Sequence, residues 1–306
     1  MAQVSIGVPV YNGENFVRQA LESLLEQTFT DLEVIVSDNA STDGTEDIVR
    51  GFAQSDHRLR YFRQASNLGA AGNYNFTLEQ ASGPYFMWAA HDDIRHSSFV
   101  AKALEAFDVH PGASAVFSRS ASIGPDGKER HVMKRPDGLV SSDVAVRLRA
   151  AIACRHPGVV IFGLVPRQLL LGTGRHGDFP GADRVLAVEL ALAGELIELP
   201  EILFFNRDHP DRYVRIKDRD EADTGSIQEG WWDPGRVDRI VFPAWSRVDG
   251  YFNALRATPL TAGERRRCYL ALAGALTDHG FALPRSIAKD LLHAGVTGTR
   301  RVLGRV

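Results

Sequence analysis

The chain has 306 residues, 44% of them hydrophobic and 24% charged, and its formal net charge is −3. These values are ordinary for a soluble globular protein and give no reason to expect a nucleic-acid partner. The two cysteines cannot form a disulfide framework, which suits a reducing compartment. No window approaches eighteen consecutive apolar residues and no secretion signal opens the chain, so we expect a cytoplasmic protein without a membrane-spanning helix.

The first 118 residues alternate between strand-like and helix-like segments. Apolar and β-branched runs predict strands at 4–10, 32–37, 59–62, 84–90 and 113–118. Helical spacing of apolar residues predicts helices at 14–27, 43–53, 70–81 and 99–110, with Ser41, Thr42 and Asp43 as N-cap candidates for the second helix. This alternation indicates βαβ units around a mostly parallel sheet.

Beyond residue 118 the rhythm breaks at a strong turn signal, Gly124-Pro125-Asp126-Gly127. Helices are predicted at 144–154 and 183–193, and strands at 159–165 and 196–205. From residue 231 the pattern is helical, over 237–255, 262–279 and 285–294. We therefore divide the chain into residues 1–118, 119–230 and 231–306, the last being a helical C-terminal extension.

The end of the chain is basic, because residues 264–306 contain eight Lys or Arg and three Asp or Glu. Such a segment can contact the anionic inner face of a membrane, or it can present an ordinary solvated helical face. The helical region is also a candidate dimer surface, and the sequence leaves these alternatives open.

Polar loops follow four of the predicted strands. The loops are Pro9-Val10-Tyr11-Asn12 with Glu14, residues 37–45 (SDNASTDGT), residues 67–73 (NLGAAGN) and His91-Asp92-Asp93. The carboxyl ends of parallel strands meet at one sheet edge, where ligands of open α/β sheets bind. Two carboxylates after a buried strand are costly unless a cation meets them, so a divalent metal with a phosphorylated ligand is the simplest occupant.

The segments PVYN, VSDNASTDGT, NLG and HDD, in this order, resemble the nucleotide-sugar-binding half of the family 2 glycosyltransferases. The resemblance is close over residues 3–118 and looser through Asp183 and Arg207-Asp208-His209. It implies an α/β GT-A fold, in which a Rossmann-like, mostly parallel central sheet is flanked by helices. It also implies that residues 1–118 bind a nucleoside diphosphate sugar and residues 119–230 an acceptor.

The resemblance implies a role for each matching residue of the donor site. Asp38 would accept hydrogen bonds from the base, and Asn67 and Gly69 would let the backbone approach the ribose and diphosphate. A turn or cap role is the alternative for these residues, and a first-turn helix position is the alternative for Glu14. The implied donor-binding residues are Pro9, Val10, Tyr11, Asn12, Glu14, Asp38, Asn67, Gly69, Asn73, His91, Asp92 and Arg207.

His91-Asp92-Asp93 stands where the family carries an Asp-x-Asp signature, with His91 in place of the first aspartate. The resemblance implies that Asp93 holds a metal that bridges two phosphates, and that His209 completes the metal shell. Oxygen ligands favour Mg²⁺ or Mn²⁺, and an added imidazole favours Mn²⁺. A capping cluster for the following helix is the alternative for this segment, and a surface loop is the alternative for Arg207 and His209.

Asp183 matches the position of the family's catalytic base, although Ala182 replaces the glutamate that often precedes it. A carboxylate there would take the proton of the acceptor hydroxyl, while a helix N-cap is the alternative. Trp231, Trp232 and Tyr213 are candidates for stacking on an acceptor sugar or for packing in the core.

The resulting prediction is an inverting, metal-dependent transferase that moves a sugar to an acceptor hydroxyl of a cell-envelope glycan, a glycolipid or a natural product. A sugar-1-phosphate nucleotidyltransferase is one alternative, but the loop after the first strand lacks the basic residues that a triphosphate needs. A non-catalytic nucleotide-sugar-binding protein is the other. A dehydrogenase is disfavoured, because residues 69–72 lack the spacing of a dinucleotide fingerprint.

Overall fold

A computed structural model describes residues 2–134, 137–154, 158–210 and 243–278. The N-terminal part alternates strands and helices, namely β1 (Val4–Val10), α1 (Val17–Leu25), β2 (Leu32–Asp38), α2 (Thr45–Ser55), β3 (Leu59–Arg63), α3 (Gly69–Glu79) and β4 (Tyr85–Trp88). There follow β5 (Ile94–Arg95), α4 (Phe99–Val109), β6 (Ala113–Ile123), β7 (Glu129–Val132), α5 (Val144–Ala153), α6 (Gly158–Ile161), β8 (Val165–Pro166), α7 (Arg167–Leu171), α8 (Ala182–Ala193), β9 (Glu195–Arg207), α9 (Pro243–Ala257) and α10 (Ala262–Asp278).

The first sheet has the strand order β3-β2-β1-β4-β8. Its first four strands are parallel, and the short β8 pairs antiparallel with β4. Every residue of β1 and β2 is buried, as expected for a parallel sheet that is covered by helices on both faces. The predicted mostly parallel sheet is therefore confirmed.

The second sheet has the order β5-β9-β6-β7 and combines both parts of the chain. Strands β6 and β9 are parallel, and β5 and β7 are antiparallel edge strands. Because β6 runs to Ile123, the predicted boundary at residue 118 lies within a strand. The division into three parts stays a prediction.

Two hydrophobic clusters fill the space on either side of the first sheet. One lies between the strands and the apolar stripes of α1 and α4, which include Leu21 and Phe99. The other includes Phe86 of β4 and the largely apolar helix α8, on which α5 and α9 pack, while α10 packs on α5. Cys154 and Cys268 are buried in this part of the molecule.

The structure differs from the sequence prediction at 159–165. The predicted strand is wrong, because the segment begins as helix α6 and reaches the sheet only at Val165. Short apolar runs suit a buried helix turn as well as a buried strand. The two short edge strands β5 and β7 were not predicted, and all four residues of β7 are exposed, so no apolar alternation marks it. None of the helices in the described ranges is both long and apolar enough to cross a membrane.

Candidate active site

The candidate site lies at the carboxyl edge of the first sheet, where β1 and β4 are neighbours. From β1 the chain continues towards β2 and β3 on one side, while β4 lies on the other. This is the switch point at which open α/β sheets bind ligands. The loops after β1 and β4 meet here, since a β-carbon added to Gly13 would lie 2.7 Å from Cδ2 of His91.

The loop after β1 is fastened to the loop after β2. Asn12, which adopts a positive φ of 50°, donates its backbone N–H to Ser41 Oγ (2.9 Å) and accepts from the Thr42 N–H through Oδ1 (2.9 Å). Glu14 Oε2 accepts from the backbone N–H of Gly44, the N-cap of α2, at 2.7 Å. Glu14 thus precedes α1 in the chain and is not in its first turn, and its carboxylate binds the amino end of α2. The predicted contact of Glu14 with the donor stays a prediction.

The second loop contains the fully buried Asp38. Its Oδ1 accepts from the Ser41 backbone N–H at 2.8 Å, and its Oδ2 accepts from Tyr61 Oη and Arg63 Nη1, both at 2.8 Å. Three protein donors thus hold a carboxylate that the family resemblance assigns to the base. In this structure Asp38 orders the loop and neutralises Arg63.

The third loop joins the same network through amide side chains. Asn67 Oδ1 accepts from the Gly69 N–H at 2.8 Å, in a turn that Gly69 permits with its φ of 74°. Asn39 donates to Asn67 Oδ1 at 2.8 Å. Asn73 is buried and donates to the Ser37 carbonyl at 2.9 Å, so it joins α3 to β2 from within the protein. Tyr11 is 44% exposed and presents its ring at this edge.

The fourth loop forms a compact cluster with the end of β9. Asp93 accepts from the backbone N–H of Arg207 at 2.8 Å and from Asn206 Nδ2 at 3.2 and 3.1 Å. Asp92 Oδ2 lies 2.9 Å from His209 Nε2. The structure thus brings Asp92, Asp93, Arg207 and His209 together, although more than a hundred residues separate the two segments in the chain.

The side chain of Arg207 is fully buried behind this loop. Its Nε donates to the carbonyl of Asp92 (2.8 Å), Nη1 to the carbonyls of Gly124 and Pro125 (3.2 and 3.1 Å), and Nη2 to Gln19 Oε1 (2.7 Å). The guanidinium carbon also lies 4.8 Å from the centroid of the Phe16 ring. Arg207 therefore stabilises the loop through hydrogen bonds made inside the protein. Its predicted contact with the donor stays a prediction.

His209 supplies an observation that fits a metal. It is buried, and its Nδ1 has no hydrogen-bond partner among the described residues. Within those residues, no three His, Cys, Asp or Glu side chains are grouped so as to hold a metal alone. Carboxylate and imidazole groups suit Mn²⁺ or Mg²⁺, and such ions commonly take their remaining ligands from phosphates and water. Asp92 and Asp93 therefore carry oxygen ligands of the kind that a metal arriving with its phosphorylated ligand would use.

Asp183 lies in the first turn of α8, after Gly181 with its φ of 90°. Burial raises the pKa of Asp183 above its ordinary value, while the charges of Arg184 and Arg247 act in the opposite direction. A carboxylate with a raised pKa is a better proton acceptor near neutral pH. Among the described residues, Asp183 interacts with Arg184 and Arg247 and not with the Asp92–Asp93 cluster.

Several residues of the site were not predicted from sequence. Asn206 holds Asp93, Tyr61 and Arg63 hold Asp38, and Arg247 of α9 lies against Gly181, where an added β-carbon would meet Arg247 Cδ at 2.5 Å. Of these residues, only Asn206 carried a local signal, because it directly precedes the predicted Arg207. The predicted acceptor platform of Tyr213, Trp231 and Trp232 lies outside the described residues.

The fold and the arrangement of its polar loops define a glycosyltransferase of the GT-A type. The chain belongs to glycosyl transferase family 2, because the sequence model of that family matches residues 5–159.

Two relatives illustrate the range of sequence similarity. An uncharacterized glycosyltransferase of Rickettsia bellii is 30% identical over 141 residues, which are 46% of this chain and 20% of that protein. The GalNAc(5)-diNAcBac-PP-undecaprenol beta-1,3-glucosyltransferase of Campylobacter jejuni is 38% identical over 94 residues, which are 30% of each chain. The matched regions thus span less than a third of either relative.

Solved structures share the fold over almost the whole chain. TarS 1-349 of S. aureus in complex with UDP has a TM-score of 0.62 and 18% identity, and the match covers 92% of this chain and 75% of TarS 1-349. The mannosyltransferase PcManGT of Pyrobaculum calidifontis, in complex with GDP-Man and Mn²⁺, has a TM-score of 0.58 and 22% identity, with 99% and 79% coverage. These similarities confirm the predicted GT-A fold.

Proposed function

We propose that this glycosyltransferase moves a sugar from a nucleoside diphosphate sugar to an acceptor hydroxyl, with inversion at the anomeric carbon and with the help of a divalent metal. The observation that carries the proposal is the Asp92–Asp93 pair at the end of β4, which residues 206–209 hold at the switch point. Carboxylate oxygens are the ligands that Mg²⁺ and Mn²⁺ prefer in proteins. A metal-bound diphosphate at this edge of the sheet would use them.

Asp92, Asp93 and His209 would hold the metal or the ribose beside it. When bound, a divalent metal supplies charge that neutralises the departing diphosphate. The ring of Tyr11 and the backbone around Asn67 and Gly69 would bind and orient the nucleoside. Exposed aromatic and backbone groups suit the faces and hydroxyls of a nucleoside, whereas Asp38 would act by ordering the loop.

Asp183 would take the proton of the acceptor hydroxyl as that oxygen attacks the anomeric carbon. Its raised pKa supports this role, because a stronger base accepts the proton more readily. In a single displacement the attacking oxygen enters opposite the leaving diphosphate, so the configuration inverts. We place this chemistry in the synthesis of a cell-envelope glycan, a glycolipid or a natural product, with the enzyme in the cytoplasm or at the inner face of a membrane.

The metal and the donor are tested by a thermal-shift panel of UDP-, GDP- and dTDP-sugars, each with and without Mn²⁺. At least one donor should raise the melting temperature, since a ligand that binds the folded state stabilises it. Asp93→Ala should abolish the Mn²⁺-dependent part of this shift. The matched control is Asp108→Ala, which removes an exposed carboxylate in the last turn of α4 and should leave the shift intact.

The base is tested separately with Asp183→Asn. This variant should bind the donor like the wild type and lose most of the release of nucleoside diphosphate. Wild-type turnover of Asp183→Asn would refute the base assignment. A panel in which no donor gains from Mn²⁺ would refute metal dependence.

A further inference from the structure

The segment that leads to Asp183 is fastened to two helices at three consecutive residues. We call this segment, residues 172–181, the α7–α8 loop. The backbone N–H of Gly174 donates to Glu189 Oε1 of α8 at 2.9 Å, and Arg175 Nη1 pairs with Glu79 Oε1 of α3 at 3.0 Å. The third residue, His176, is hydrogen-bonded to α3 through its backbone.

Asn75 of α3 holds His176 by both of its backbone polar groups. The backbone N–H of His176 donates to Asn75 Oδ1 at 3.0 Å, and Asn75 Nδ2 donates to the carbonyl of His176 at 2.9 Å. One amide side chain thus replaces the pairing that a neighbouring strand would give. It joins two segments that lie 101 residues apart in the chain.

The His176 ring is packed against β4, the strand that precedes Asp92 and Asp93. Its centroid lies 4.3 Å from that of Tyr74 and 5.9 Å from that of Trp88, the last residue of β4. Trp88 Nε1 donates to the Tyr74 carbonyl at 2.9 Å, which fixes the indole in turn. Burial lowers the pKa of His176 to about 4, so the ring packs as a neutral group.

The first turn of α8 depends on this loop for its position. Its N-cap, Gly181, has no side chain that could cap the helix. Gly177 packs closely on the same turn, because an added β-carbon would lie 3.0 Å from Cβ of Ala182. A series of contacts therefore runs from Asn75 through His176 and Gly177 to Ala182, the residue before Asp183.

We propose that Asn75 is a positioning residue, which sets the place of the Asp183 carboxylate relative to the donor-binding loops through its two hydrogen bonds to His176. The inference rests on the proposed function of Asp183 as the base. Helix α3 begins at Gly69, in the predicted donor-binding loop. The same helix therefore contributes to the donor site through Gly69 and positions the proposed base through Asn75. A base displaced by about 1 Å can lose about 100-fold in rate.

The mechanical part is tested by hydrogen exchange in Asn75→Ala. Amides of residues 177–184 should exchange at least about tenfold faster than in the wild type, while those of β1 and β2 stay unchanged. Asn253→Ala is the matched control, because it removes an exposed amide that donates to Asp249 Oδ2 at 2.9 Å on α9. Unchanged exchange at 177–184 in Asn75→Ala would overturn the proposal.

The catalytic part is tested by the release of nucleoside diphosphate from whichever of the UDP-, GDP- or dTDP-sugars binds best with Mn²⁺. Asn75→Ala should lower kcat about 10- to 100-fold and leave donor affinity within about twofold of wild type. Asn75→Asp retains the acceptor for the His176 N–H but turns a carboxylate oxygen towards the His176 carbonyl, so it should lose at least as much. It also provides a measurement if Asn75→Ala does not fold. A loss that appears mainly in donor affinity, or no loss, contradicts the inference.

A double variant separates this inference from the proposed base. If Asn75 acts through Asp183, adding Asn75→Ala to Asp183→Asn should cause little further loss of turnover. Full additivity would show that Asn75 acts elsewhere. Wild-type turnover of Asp183→Asn alone would instead refute the base assignment, and the exchange measurement would still report on the α7–α8 loop.

Discussion

Arg207 Nε donates to the backbone carbonyl of Asp92 over 2.8 Å, from a side chain that is fully buried. The contact makes the last residue of β9 a support for the loop after β4. Asp92 is thus held at two points, because Arg207 binds its backbone carbonyl and His209 lies beside its carboxylate.

We expect Arg207→Lys to lower the free energy of unfolding by about 2–4 kcal/mol, because lysine cannot satisfy the buried acceptors that the guanidinium reaches. Urea unfolding measures this change. Arg130→Lys is the control, since Arg130 is an exposed partner of Asp208 and its replacement should cost less than about 0.5 kcal/mol. Normal stability with weakened diphosphate binding would favour a direct phosphate contact for Arg207.

A second prediction concerns Asp38. Asp38→Asn should destabilise the protein by about 2–3 kcal/mol, because an amide whose oxygen accepts from Tyr61 and Arg63 turns its NH₂ group towards the Ser41 N–H, and the arginine loses its buried carboxylate. Tyr61→Phe removes one of these hydrogen bonds and should cost about 1 kcal/mol. Urea unfolding of both variants measures the ratio. If Asp38 serves only the nucleotide base, Asp38→Asn will unfold like the wild type and bind nucleotide more weakly.

A third prediction follows from the raised pKa of Asp183. An acid whose folded pKa exceeds its unfolded value destabilises the fold once it is ionised. That penalty is complete above the folded pKa and absent below the unfolded value of about 3.9. Asp183→Asn should therefore raise the melting temperature at pH 7.5, by about 1–3 °C.

Asp143 provides the opposite case for the same measurement. Its carboxylate caps α5 by accepting from the backbone N–H groups of Ala145 and Val146, and these hydrogen bonds lower its pKa. Asp143→Ala should cost about 1 kcal/mol and lower the melting temperature by about 2–4 °C. If Asp183→Asn lowers the melting temperature as well, Asp183 is a structural cap and not a strained base.

A fourth prediction concerns acid stability at the amino end of the sheet. Burial would raise the pKa of Glu33, but hydrogen bonds from Ser5, Ser82 and Arg60 prevail and lower it to about 2. A folded pKa below the unfolded value of about 4.3 gives stability that is complete above that value and is lost as the pH falls towards 2.

Glu33→Gln should accordingly lower the free energy of unfolding by about 1–3 kcal/mol at pH 7. The difference from wild type should shrink between about pH 4.5 and 3, because the wild-type carboxylate also begins to lose its advantage there. Urea unfolding at pH 7, 4.5 and 3 measures it. A difference that does not change with pH would mean that packing, and not ionisation, accounts for the effect.

Local patterns predicted most of the first sheet and the loops at its carboxyl edge. Strands β1, β2 and β4 are rich in apolar residues, and a polar loop follows each of them. The pattern fails where segments are short. The run at 159–165 is apolar enough for either a strand or a helix turn, and only its neighbours decide between them.

Local sequence patterns were enough to predict the alternating α/β framework, the parallel sheet edge and the position of Asp92 and Asp93 there, because burial periodicity and turn residues act within a few positions of the chain. The partners that hold those carboxylates could be identified only from the folded protein. The hydrogen bonds of Arg207 to Asp92, of Asn206 to Asp93 and of Asn75 to His176 join segments about a hundred residues apart. Such contacts depend on how helices and sheets pack, and a local pattern contains no information about them.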